Sequence, residues 1–107
     1  MEIIINTQEK ETMATLSGRL DTLAAQEVAA QFETLQEKAD GTVVLDCSQL
    51  DYISSSGLRL FLTLRKAAAT KGGKVIVRDL NADVRNVFMI TGFLNLFEIQ
   101  QINNQTI

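Results

Sequence analysis

The spacing of apolar and polar positions changes repeatedly along the chain, and each change marks an element. Glu2 to Asn6 is short and β-branched, which predicts a first strand. Thr12 to Ser17 alternates, predicting a second, and Gln8-Glu9-Lys10 between them reads as a hairpin turn. Gly18 is expected to break that strand, with Asp21 capping the helix that follows. From Thr22 to Lys38 the positions Ala24, Val28, Phe32, Leu35 and Ala39 recur at spacings of three or four, one face of an amphipathic helix that Asp40-Gly41 closes.

Thr42 to Leu45 is a continuous apolar run, the mark of a strand at a sheet centre. A second helix is predicted from about Gly57 to Lys71, ended by Gly72-Gly73, and KVIVR (74–78) is the next strand. Strand, helix and strand at this spacing make a βαβ unit, so the two strands are parallel and the crossover right-handed. Asn81 should cap a third helix with Val84, Val87, Phe88 and Thr91 on one face and Gly92 beyond its end. Phe93 to Ile99 leaves room for a turn and a last strand. The expected fold class is α/β: a mixed four- to five-stranded sheet with an antiparallel N-terminal hairpin, a parallel βαβ unit and helices packed on the sheet. Residues 1–100 form the domain, and 101–107 read as a polar, frayed tail.

Composition narrows the function classes. A 107-residue chain is one domain and buries enough surface to need no metal or disulfide staple. Its net charge of -3, with scattered Lys and Arg, argues against nucleic acid and anionic membranes as partners. Cys47 stands alone, so no internal disulfide can form, and its place at the end of an apolar run suits a small buried hydrophobe. The start, MEIIINTQEK, has neither a basic stretch nor a long apolar core, and no apolar run approaches bilayer length. Together these predict a cytoplasmic protein that is a monomer or weak dimer.

One stretch asks for chemistry. DYISSSGLRL (51–60) puts three serines at the mouth of the second helix. A nucleophilic serine needs a base, usually histidine, and this chain has none. The glycine that a nucleophile elbow places two residues before its serine is missing, and Lys66 lies at least two turns along the helix. No phosphate-cradling GxxxxGK[ST] or GxGxxG occurs, and Asp46 and Asp51 alone make a poor metal site. The expectation is therefore no catalytic residue, no metal and no cofactor. A single serine at a helix start is an ordinary cap, but one cap does not need three serines. They also stand at the carboxyl end of a strand, where α/β folds place ligands. The second helix is apolar most of the way round, which leaves open burial beneath neighbouring helices or an apolar face shown to a partner.

LDCSQLDYISSSGL (45–58), with GRLD (18–21) upstream and TGFLNLFEI (91–99) downstream, resembles the STAS domain, and more narrowly the bacterial anti-sigma factor antagonists. The resemblance implies a switch that binds an anti-sigma factor and so frees a sigma factor. It implies a partner that is an ATP-dependent serine kinase, and a metal-dependent serine phosphatase that reverses the modification. The serine directly before the glycine takes the phosphate in this family, here Ser56, with Ser55 as the fallback. Relatives carry an aspartate two residues before that serine, where this chain has Ser54. The implied partner surface comprises Asp21, Asp46, Ser54, Ser55, Ser56, Gly57, Leu58 and Arg59. The other function the resemblance allows is that of a non-switching STAS subunit of a transporter or a stressosome-like assembly.

Overall fold

The computed structural model describes residues 1–102. Strands β1 (Glu2–Gln8) and β2 (Glu11–Leu20) form the hairpin, joined at Glu9-Lys10, with Glu9 in the left-handed region at φ 51°. Helices α1 (Thr22–Glu27) and α2 (Ala29–Glu37) lead into the long strand β3 (Thr42–Ile53). Helix α3 (Ser55–Lys71) returns to β4 (Lys74–Arg78). Helix α4 (Ala82–Thr91) and a 3-10 turn (Phe93–Asn95) lead to β5 (Glu98–Gln100). The strands lie side by side in chain order, with β1 antiparallel to β2 and every later pair parallel.

That order fixes where the helices go. Each parallel connection is a right-handed crossover, and each steps to the next strand in the same direction, so all helices fall on one face of the sheet. The core lies between them. Ala14 and Leu16 of β2, Val43, Leu45 and Cys47 of β3, and Val75 and Val77 of β4 meet Phe32, Leu35, Phe61, Leu64 and Phe88 from the helices. Alternation sends Met13, Val44 and Ile76 to the other face, where they are neighbours in register across three strands.

The apolar second helix is explained by its place. Phe61 of α3 stacks on Phe32 of α2 with ring centroids 5.8 Å apart. It meets Phe88 of α4 and Phe97 edge-on at 5.9 and 6.3 Å. Elements therefore flank α3 on both sides, and Leu58, Phe61, Leu64 and Ala68 are buried. Aromatic pairs of this kind add about 1 kcal/mol each beyond their burial.

Besides the hairpin, where β1 runs on to Gln8 and β2 starts at Glu11, four boundaries differ from the expectation, each for a local reason. Gly18 does not end β2. At φ 103° it sits beside a register shift and the strand runs on to Leu20. The helix expected over 22–38 is divided at Val28, whose ψ of 7° departs from helical geometry. Its predicted face is buried in full, because each half packs against α3. Strand β3 is eight residues longer than the apolar run and carries two extra residues against β2, between Asp46 and Gln49 and between Leu50 and Tyr52. Such bulges re-aim side chains, which lets Leu50 and Ile53 both reach the core. Helix α3 begins at Ser55, two residues before Gly57.

Of the stretch read as a tail, Gln101 and Ile102 are tied down. The Leu80 N–H donates to Gln101 Oε1 at 3.2 Å and the Ile102 N–H to Asp79 Oδ1 at 2.6 Å. Residues 103–107 lie outside the described residues.

Candidate functional site at the start of the central helix

Three chain segments converge where β2 and β3 end. Strand β2 delivers Leu20 and Asp21, β3 delivers Ile53 beside Leu20 in register, and α1 and α3 start there together. Asp21 caps α1, its Oδ1 accepting the Ala24 N–H at 2.8 Å. Ser54 caps α3, its Oγ accepting the Gly57 N–H at 3.2 Å. The Ser54 hydroxyl also donates to the Leu20 carbonyl at 3.0 Å, and the Ser54 N–H donates to the same oxygen at 2.9 Å. Asn81 repeats the device at α4, capping Val84 and donating to Leu50 O. In both cases one side chain satisfies an orphan helix N–H and fastens the helix to an earlier strand.

The three serines are therefore not equivalent. Ser54 has both sides of its hydroxyl engaged inside the protein. Ser55 is exposed on the first residue of α3, and Ser56 is half-buried on the second. Neither the Ser55 nor the Ser56 hydroxyl makes a hydrogen bond among the described residues. Ser56 opens into a groove between α1 and α3, lined by Thr22, Ala25, Ala29, Arg59, Leu60 and Thr63. Ala25 of α1 and Ala29 at the start of α2 leave that groove room, and Leu23 stands 63% exposed in the first turn of α1.

The structure thus brings together Asp21, Ser54, Ser55, Ser56 and Arg59, and it separates three other expected residues from them. Gly57 is buried, and a Cβ there would lie 2.7 Å from Leu20 Cγ and 2.9 Å from Ile53 Cγ1. Glycine at 57 serves the packing of α3 against the strand ends, and it offers nothing outward. Leu58 is 5% exposed and belongs to the core. Asp46 stands in mid-strand, not at the strand's end, eight residues before Ser54 and thus roughly 25 Å away along an extended chain. It lies on the sheet face away from the helices, between Thr15 and Arg78 in register, and its Oδ1 accepts the Ser48 N–H at 3.0 Å.

Sequence reasoning missed the groove. Thr22, Ala25, Ala29, Leu60 and Thr63 carry no signal beyond helix propensity, and only the packing of α1 on α3 lines them up. It also missed Arg19 and Tyr52, which face each other in register with the guanidinium carbon 4.2 Å from the ring centroid. That cation–π contact covers the outer side of the strand ends that Leu20 and Ile53 close from within.

Cys47 takes no part. Burial pushes its thiol far above the ordinary value, with the negative charges of Asp46 and Asp79 adding to the push, so it stays protonated and inert at neutral pH. Among the described residues no cluster of His, Cys, Asp or Glu is placed to hold a metal ion, and no helix is long and apolar enough to cross a membrane.

Comparison with known proteins identifies the family and the fold. A family model described as the STAS domain matches residues 2–104. BtrV of Bordetella bronchiseptica, named as an anti-sigma factor antagonist, is 33% identical over 92% of this chain and 85% of that protein. A structure from Thermotoga maritima, titled as an anti-sigma factor antagonist, superposes with a TM-score of 0.82 at 16% identity, covering 92% of this chain and 85% of the other. The Bacillus cell fate determinant SpoIIAA in its phosphorylated form superposes with a TM-score of 0.71 at 20% identity, covering 92% and 90%. At those identities the two structures speak for the fold.

Proposed function

The chain belongs to the STAS domain family, and we propose that it acts as an anti-sigma factor antagonist switched by phosphorylation of Ser56. Unphosphorylated, it binds an anti-sigma factor that is also an ATP-dependent serine kinase, and so releases a sigma factor. The docking surface is the shared start of α1 and α3, with Asp21, Thr22, Leu23, Ser55, Ser56 and Arg59. The kinase moves the γ-phosphoryl of ATP to Ser56 Oγ; the hydroxyl loses its proton and ADP leaves. A metal-dependent serine phosphatase returns the hydroxyl by hydrolysis. The protein works by binding, as a cytoplasmic monomer or weak dimer without cofactor.

One observation supports Ser56 over Ser54, and the groove it lines supports it beside the equally unbonded Ser55. Ser54's hydroxyl is held at both ends, whereas the Ser56 hydroxyl lies unbonded in the groove between α1 and α3. Phosphate on Ser56 adds close to two negative charges, about -1.5 to -2 at neutral pH, to a chain of net charge -3. At the end of a helix that already tolerates anions, the fold loses little. A partner surface that fits a neutral hydroxyl against acidic or apolar groups loses several kcal/mol, on the order of 2–5. Binding can be abolished while the fold stays as it is.

The test is mass spectrometry of the protein after incubation with its anti-sigma kinase and ATP. Phosphate on Ser56 alone is the expected result. Phosphate on Ser54 or Ser55, or no phosphate, overturns the assignment.

A further inference from the structure

Ser56 and Arg59 lie three residues apart in the first turns of α3 and line the same groove against α1. Residues so spaced on a helix are surface neighbours. Arg59 is the groove's one charged side chain, the others being Thr22, Ala25, Gln26, Ala29, Leu60 and Thr63 beside Ser56 itself. It is exposed, and among the described residues its guanidinium makes no hydrogen bond or ion pair. Arg19 lies on the Tyr52 ring, Arg65 on the Leu96 carbonyl and Arg78 on Gln100, while Arg85 on α4 is, like Arg59, without a side-chain partner among the described residues but does not line the groove.

We propose that Arg59 is the internal counter-ion of the Ser56 phosphate. A guanidinium presents parallel N–H donors that match two oxygens of one phosphate, and such charge-assisted pairs are the strong class of hydrogen bond. Phosphorylation then acts twice. It adds charge, and it draws Arg59 off the docking surface into the groove, which the phosphate fills. A carboxylate at position 56 is shorter and singly charged, so it reproduces the charge better than the capture of Arg59. The charges closest in sequence to the groove residues are Asp21 and Glu27 at the two ends of α1 and Arg65 and Lys66 on α3, and none of them lines the groove. The inference rests on Ser56 as the acceptor, so its test supplies the phosphate without any kinase.

Phosphoserine is placed at position 56 of the full chain during translation, in the otherwise native protein and in Arg59→Gln and Arg59→Lys. Amide spectra confirm that all three fold. The second ionisation of the phosphate is followed by phosphorus NMR across pH. A guanidinium partner favours the dianion, so the native midpoint should lie about half a pH unit or more below that of Arg59→Gln, with Arg59→Lys between them. The Arg59 Nε–H resonance should also move between the unmodified and phosphorylated proteins. Equal midpoints in all three, with an unmoved Nε–H, overturn the pairing whether or not a kinase selects Ser56. Kinase labelling elsewhere, with the midpoint difference present, overturns the acceptor assignment and leaves the pairing standing.

Discussion

The Ser54 hydroxyl donates to the Leu20 carbonyl at 3.0 Å across 34 residues of sequence, while accepting the Gly57 N–H at 3.2 Å. One side chain thus caps the central helix and ties it to the strand that presents Asp21. Ser54→Ala loses both bonds, and the Ser54 N–H keeps its own bond to Leu20 O. Urea unfolding should show a loss of about 1–2 kcal/mol. Labelling of Ser56 by the kinase should persist in this variant, which would separate the structural serine from the proposed acceptor.

Gly57→Ala should destabilise in spite of alanine's better helix propensity. The added methyl meets Leu20 Cγ at 2.7 Å and Ile53 Cγ1 at 2.9 Å, both core side chains that can shift only at the expense of other contacts. Overpacking of this kind costs about 1–3 kcal/mol against a propensity gain of about 1. Thermal unfolding decides it: a midpoint equal to or above the native protein's means that the strand ends yield more readily than their packing indicates.

Asp21 has a structural and a proposed docking role, and two substitutions part them. Asp21→Asn keeps an oxygen to accept the Ala24 N–H, so stability should change by only a few tenths of a kcal/mol, roughly. Partner affinity should fall several-fold in Asp21→Asn if the carboxylate is read by the partner. Asp21→Ala should lose about 1 kcal/mol of stability besides. Arg59→Glu, on an exposed position, should weaken binding and leave the unfolding midpoint near the native value. Calorimetric titration with the partner, beside unfolding curves, measures both effects.

Ser56→Ala should bind the anti-sigma partner as the native protein does and resist inactivation by kinase and ATP. Ser56→Asp should keep a native amide spectrum while binding poorly, since the first turn of a helix accepts a carboxylate. Native-strength binding by both Ser56→Asp and the protein carrying phosphoserine at position 56 would place the switch elsewhere on the domain.

Cys47 supplies a pH dependence of known sign. Its folded thiol holds its proton far above the ordinary value of 9.0 at which an unfolded chain releases it. Below that value both states are protonated and the contribution is intact. Above it the unfolded state alone loses the proton, and stability falls by up to about 1.4 kcal/mol per pH unit. Urea midpoints from about pH 8 to 11 should therefore drop more steeply for the native protein than for Cys47→Ala. In the native state at neutral pH the thiol should resist alkylation until the chain is unfolded.

Much of the fold is legible in the sequence because local rules and burial agree there. KVIVR is β4 residue for residue, and Asn81 and Gly92 bracket α4 as read, since a cap side chain and a left-handed glycine are local chemistry. Ala24, Val28, Phe32, Leu35 and Ala39 are all buried as their spacing predicts, although the helix divides at Val28 and ends before Ala39. The serine cluster and Asp21 stand out in the sequence for the same reason: both mark helix starts.

What the sequence left undecided depends on segments far apart in the chain. Polar residues such as Asp46, Gln49 and Asp51 hid the length of β3, because a sheet with one uncovered face tolerates them once bulges have re-aimed Leu50 and Ile53. Among the three serines local rules do not choose. Leu20, 34 residues away, sets Ser54 apart by holding its hydroxyl, and Ala25 of α1 with Ala29 of α2 lines the groove beside Ser56. Gly57 and Leu58 look like surface in a motif, yet they face Leu20, Ile53 and the core. Periodicity tells which residues share a face of one element. Only the packing of α3 between its neighbours decides what that face meets.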